Sequence, residues 1–158
     1  MHDTAAHAMR REDRQIDEQE ARKILAKGEY GVLSTVGPEG EPYGVPISYV
    51  YREGEIYIHS APEGRKLQNL SPGAHVSFCV VGATELQPEM FSTRYESAIA
   101  TCAVRELFGE AKTLALAWLI EKYSPNFQKE GAEYIVSRED VTRVFALGVR
   151  HVSGKRRS

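Results

Sequence analysis

The stretch Pro42-Tyr43-Gly44-Val45-Pro46-Ile47-Ser48-Tyr49-Val50-Tyr51-Arg52-Glu53-Gly54-Glu55-Ile56-Tyr57-Ile58-His59-Ser60 decides the fold. Val, Ile and Tyr dominate it, and β-branched and aromatic side chains suit a half-buried pleated surface. Two such runs flank Arg52-Glu53-Gly54, a tight turn, so they read as an antiparallel hairpin. Pro42 and Pro46 lack the N–H that a central strand donates, which marks the run from Pro42 to Tyr51 as an edge or bulged strand. Along Glu55 to Ser60 the side chains alternate, with Tyr57 and His59 on one face and Ile58 and Ser60 on the other.

The same period continues on both sides. Tyr30 to Val36 is another run of β-formers, closed by the turn Gly37-Pro38-Glu39-Gly40. His75 to Gly82, Glu96 to Leu107 and Thr142 to Val152 read as further strands. A short helix is predicted around Arg65–Leu70. A longer one spans Asp17 to Lys27, capped by Asp17 with Glu20 three residues on, carrying Ala21, Ile24 and Leu25 at helical spacing and closed by Gly28. Glu110 to Tyr123 is amphipathic, places Trp118 in the core and stops before Pro125. Short strands joined by tight turns predict a mainly β, α+β fold: an antiparallel split barrel with peripheral helices. Residues 14–155 are expected to form a single domain, and residues 1–13 a flexible segment.

Bulk properties exclude several classes. Lys and Arg total 20 against 22 for Asp and Glu, a net charge of −2, which gives no basis for bulk nucleic-acid binding. No apolar run approaches the roughly 20 residues that span a bilayer. The polar start, Met1 to Arg14, lacks a secretory apolar core, so cytoplasmic residence is expected. Cys79 and Cys102 lie in apolar runs and are expected to be buried free thiols. The histidines His2, His7, His59, His75 and His151 have no ligand spacing with them, so no metal is expected. Arg10, Arg11, Arg14 and the run Lys155-Arg156-Arg157 read as solvated charge.

Chemistry concentrates in Ile58-His59-Ser60-Ala61-Pro62-Glu63-Gly64-Arg65-Lys66-Leu67. Two adjacent cations follow a glycine where a strand passes into a helix. Arg65 offers a planar fork, Lys66 a point charge and Ser60 a hydroxyl, which together suit a phosphate dianion. The competing reading is a solvated surface pair. His59 is equally open: it is either a packed strand histidine or a donor beside a cofactor or substrate, with an ordinary pKa near 6.5 that allows proton transfer near neutrality.

In order along the chain, the phrases Tyr30-Gly31-Val32-Leu33-Ser34-Thr35, Pro42 to Tyr51, Ile56 to Ala61, Gly64-Arg65-Lys66, Val76 to Gly82 and Tyr95-Glu96-Ser97-Ala98-Ile99 resemble the pyridoxamine-phosphate-oxidase-like FMN-binding split barrels, and more closely their nitroimidazole-resistance branch. The resemblance implies a homodimer with FMN at the subunit interface and a small-molecule substrate. It implies that Val45, Pro46, Ile47, Ser48 and Tyr49 run along the isoalloxazine and ribityl chain. It places His59 and Ser60 beside the ribityl and phosphate, counts Ile58 among the cofactor-binding residues, and makes Arg65 and Lys66 the phosphate clamp. Ser97 would reach the flavin from the partner subunit, and His59 would be the catalytic residue. Two departures stand out. Cys102 replaces a glycine of the branch, and Phe145 to Val152 replaces the Trp- and Arg-bearing phrase with which vitamin-B6-oxidising members hold their substrate. The function expected is an FMN-dependent reductase of small nitro-aromatic compounds. The alternatives are an FMN- or haem-binding protein without turnover and a structural dimer with an empty site.

Overall fold

The computed structural model describes residues 7–158. Of the segment expected to be flexible, residues 1–6 lie outside that range, and Glu12–Arg14 form one 3-10 turn. The strands are β1 (Gln15–Ile16), β2 (Gly31–Val36), β3 (Pro42–Ile47), β4 (Val50–Arg52), β5 (Glu55–Ser60), β6 (His75–Gln87), β7 (Ser92–Leu107) and β8 (Arg143–Arg157). The helices are α1 (Glu18–Lys27), α2 (Arg65–Gln68), α3 (Gly109–Tyr123) and α4 (Gln128–Arg138). Helix α1 starts as its sequence demands: the Asp17 carboxylate accepts from the Glu20 backbone N–H at 2.8 Å.

Every strand pairing is antiparallel, in the order β3-β2-β6-β7-β8-β5-β4, with β1 added beside β8. The two ends of this series, β3 and β4, are consecutive in the chain and separated only by Ser48 and Tyr49. Three residue steps span at most roughly 11 Å. The sheet must therefore curl until its ends nearly meet, and it closes as a split barrel. This geometry corrects the single strand expected from Pro42 to Tyr51: β3 pairs with β2, β4 pairs with β5, and the chain breaks pairing as it crosses the seam.

Helix α3 satisfies the seam. The Tyr49 N–H donates to the Tyr123 hydroxyl at 2.9 Å, and Lys122 Nζ donates to the Tyr49 carbonyl at 2.7 Å. The Tyr49 side chain plugs the gap, fully buried, with its ring 4.8 Å from that of Phe78 in an edge-to-face contact and its hydroxyl donating to the Leu25 carbonyl. Gly28 permits this, because a Cβ there would stand 2.5 Å from the Tyr49 hydroxyl and 2.4 Å from Val80.

Two hydrophobic cores result. Leu25, Leu33, Tyr49, Ile56, Ile58, Phe78, Phe145 and Leu147 fill the barrel. Tyr57, Leu116, Leu119, Ile135, Val144 and Ala146 form a second core under α3 and α4. Strand β5 lies between them, with Ile56 and Ile58 facing the barrel and Tyr57 facing the helices. Trp118 is only partly buried against this second core, edge-to-face on Tyr57 and under the Arg52 guanidinium.

Other elements depart from the sequence reading. Strand β6 continues past Gly82 to Gln87 through a register shift between Val81 and Thr84, and β7 begins at Ser92 rather than Glu96. Helix α4 was not legible, because its few apolar residues make no strong stripe. It is held by a close approach instead, with a Cβ at Gly131 falling 2.4 Å from Ile120. Lys155, Arg156 and Arg157 extend β8 and are not a loose tail; Arg156 pairs with Glu96 and Glu20. Cys102 is buried, whereas Cys79 is half-buried, and both are free thiols. Among the described residues no helix is long and apolar enough to cross a membrane.

Candidate cofactor site

Beyond Ser60 the chain leaves the sheet and reaches Gly64, whose φ of 143° strains any L side chain. It then makes the single turn Arg65–Gln68. One turn, shorter than the expected Arg65–Leu70 helix, carries little macrodipole, so the positive charge here comes from side chains. The turn is fastened from behind by buried Asn69, whose Nδ2 donates to Thr35 Oγ1 at 2.9 Å, and by Leu70 in the barrel core. Nothing lies within 4 Å of where a Cβ on Gly64 would project, so the approach to the turn is open.

The structure brings His59 and Lys66 together, and among the described residues neither has an acidic partner. Burial lowers the Lys66 pKa below its ordinary value. Burial first, and the Lys66 charge second, lower that of His59. His59 keeps contact with solvent, yet it lines a concavity between β5 and the α3–α4 pair, which explains how an exposed residue still loses hydration. Arg65 is exposed, its guanidinium 4.5 Å from the centre of the Tyr43 ring. Among the described residues, the ion pairs involve neither Arg65 nor Lys66.

The other expected residues do not share one face. Val45 and Ile47 turn toward the barrel core, while Pro46 and Ser48 are exposed on the opposite side. Tyr49 and Ile58 are fully buried, so their side chains line no surface cleft. Strand alternation sends every second side chain of Val45 to Tyr49 inward, so Pro46 and Ser48 are the ones exposed on the outer side. Ser60 is buried as well, and its hydroxyl donates to the Ala61 carbonyl at 3.0 Å. Ser97 lies on β7, half-buried and paired with Val81 and Lys155, two strands away from β5 in the sheet. Sequence reasoning missed Lys122 and Tyr123, whose partners are backbone atoms distant in sequence. Among the described residues no cluster of three or more His, Cys, Asp or Glu stands close enough to hold a metal ion.

A half-buried ammonium beside an imidazole and a free guanidinium, on an open glycine turn, attracts an anion with several oxygens. The pyridoxamine 5'-phosphate oxidase family profile matches residues 17–156, a span that takes in the barrel and this turn. The chain belongs to that family. No curated protein matches significantly. Among solved structures, a candidate 5-nitroimidazole antibiotic resistance protein of Bacteroides thetaiotaomicron superposes with a TM-score of 0.72 at 24% identity, over 89% of this chain and 85% of that one. A FAD- and haem-binding protein of Mycobacterium smegmatis gives 0.79 at 21%, over 90% and 73%. The flavocytochrome Anf3 of Azotobacter vinelandii gives 0.79 at 18%, over 96% and 73%. At these identities the likeness carries the split-barrel fold.

Proposed function

We propose that this family member binds FMN between two copies of the chain and acts as an oxidoreductase that reduces small nitro-aromatic compounds. The observation that carries the reading is Lys66, half-buried and unpaired beside His59 and Arg65. A phosphate would offset the cost of holding that charge out of water. Arg65 would add a bidentate contact from outside. FMN would supply the electrons, and the protein would supply binding, orientation and charge. His59 would hydrogen-bond cofactor or substrate and give a proton to the reduced nitro group. Its lowered pKa leaves it mostly neutral near pH 7, and an anion beside Lys66 would raise it into the working range.

The dimer reading is supported by the outer face of the sheet. Pro46, Val32, Cys79, Ile99 and Ser153 stand in register across β3, β2, β6, β7 and β8. Val32 is 37% exposed, Ile99 48% and the nearby Val81 59%, an apolar row that His7, Ala8 and Met9 border beside Ile99 and Ser153. Ser97 borders this face and would reach a flavin held by the partner. A stable interface needs roughly 1,200 Å² or more in total.

Three measurements test these readings. The absorbance spectrum of purified protein should carry flavin bands. Light scattering at low micromolar concentration should give twice the 17.7 kDa chain mass. Stopped-flow reduction by NAD(P)H followed by reoxidation with a nitro compound should show turnover that His59→Ala slows by about 10²–10⁴-fold, the usual worth of a general acid. Flavin bands without reoxidation would favour the second reading, a binding protein without turnover, which the haem-holding fold neighbours also support.

A further inference from the structure

The concavity behind His59 is a feature separate from the basic turn. It measures about 90 Å³ and is lined by His59, Leu116, Leu119, Ile120, Tyr134, Ile135, Arg138 and Thr142. Its walls are the aliphatic side chains of α3 and α4, and its polar groups gather on β5, at the end of α4 and on the chain that follows. Water takes about 30 Å³ of liquid per molecule. The space is far too small for a flavin and, being open to solvent on one side, admits at most a single ring. Arg138 is exposed, its guanidinium lies 5.8 Å from the centre of the Tyr134 ring, and it has no carboxylate partner among the described residues. The neighbouring Glu139 is engaged elsewhere, accepting from Thr113 Oγ1 at 2.6 Å. The Thr142 hydroxyl donates to the Arg138 carbonyl at 2.8 Å, which fixes the backbone at the mouth and leaves donation to Arg138 and His59.

We infer that this pocket is a binding site for a small aromatic carboxylate, its ring between Leu116, Leu119, Ile120 and Ile135 and its carboxylate on Arg138 with His59 alongside. An aliphatic sleeve takes the ring, and a planar guanidinium without an acid suits a planar carboxylate. The site shares His59 with the flavin reading, but its anchor is Arg138 and neither Arg65 nor Lys66 lines it.

The test is a fluorine-NMR titration of the full-length protein with three probes. 4-Fluorobenzoate should bind with a Kd on the order of 1 mM, the affinity of a small fragment. 4-Fluoronitrobenzene keeps the planar two-oxygen shape without the charge, and fluoroacetate keeps the carboxylate without the ring; both should bind several-fold more weakly. Arg138→Gln should weaken 4-fluorobenzoate about tenfold, as loss of a charged hydrogen-bond partner does. The same variant should leave 4-fluoronitrobenzene and FMN binding unchanged. Absence of 4-fluorobenzoate binding overturns the site. So does equal affinity for either comparison probe, or indifference to Arg138→Gln. Loss of the flavin reading alone would show as unchanged 4-fluorobenzoate binding in a protein that takes up no FMN.

Discussion

Two charged regions of this protein differ in kind. On strands β5, β7 and β8 the arginines near the helical side are matched: Arg105 reaches Glu55 at 2.7 Å, Arg143 binds Glu106, and Arg156 reaches Glu96 at 3.2 Å. Glu55 also accepts from the Tyr57 hydroxyl at 2.7 Å. At the end of β5 and on α2, His59, Arg65 and Lys66 have no such acids among the described residues, and burial penalises the charge on His59 and Lys66. Matched charges hold strands in register and ask for nothing more. Unmatched, partly buried charges cost stability unless other groups solvate them, as the Tyr49 carbonyl does for Lys122 at 2.7 Å, and no such group is seen for Lys66 among the described residues.

The largest effect that could break this contrast is on cofactor affinity. Lys66→Ala should weaken FMN roughly tenfold to a hundredfold, the equivalent of about 1.5–3 kcal/mol for a charged hydrogen bond, and should leave riboflavin nearly unaffected. Arg65→Ala should act in the same direction but less, because an exposed guanidinium stays hydrated without its ligand. Flavin fluorescence quenching measures both, and equal losses for FMN and riboflavin would falsify the phosphate assignment.

The seam offers an uncharged control. Tyr123→Phe removes the acceptor of the Tyr49 N–H, and a partly buried donor left unpaired costs about 1–3 kcal/mol. Urea unfolding should register that loss while the ratio of FMN to riboflavin affinity stays at its wild-type value. A changed ratio would mean that the seam and the basic turn are one unit.

On the matched side the expected effect is smaller. Glu106→Gln breaks the pair with Arg143, which is 41% exposed, so the loss should not exceed about 1 kcal/mol. FMN affinity should not move. A fall in affinity as large as that for Lys66→Ala would erase the distinction between the two regions.

The finest probe is the titration of His59. Its pKa in the folded protein lies below the ordinary 6.5. The unfolded chain therefore binds this proton more readily, so His59 contributes stability that is present above pH 6.5 and lost as pH falls through the folded value. Proton NMR of its ring should show that low value without ligand and a higher one with FMN, because a phosphate favours the imidazolium. Riboflavin should produce little upward movement.

Much of the barrel was legible because its signals are local. The alternation in Glu55 to Ser60, the Arg52-Glu53-Gly54 turn and the Asp17 cap each depend on residues within a few positions of one another. The pair Arg65-Lys66 was legible for the same reason. Helix α4 was not, since it rests on the approach of Gly131 to Ile120 and carries no strong apolar stripe of its own. Which alternate side chains of Val45 to Tyr49 point inward was not legible either, because the curl of the sheet settles it.

By itself the sequence determined the strand-rich antiparallel class, the hairpins and the position of a basic turn after β5, because backbone preference and side-chain period act over short range. Only the tertiary structure decided that β3 and β4 are the two ends of one sheet, that Tyr49 plugs the seam under Lys122 and Tyr123, and that His59 faces the helices rather than the barrel. Each of those facts depends on which surfaces meet once the sheet has closed, and closure is a property of all its strands together.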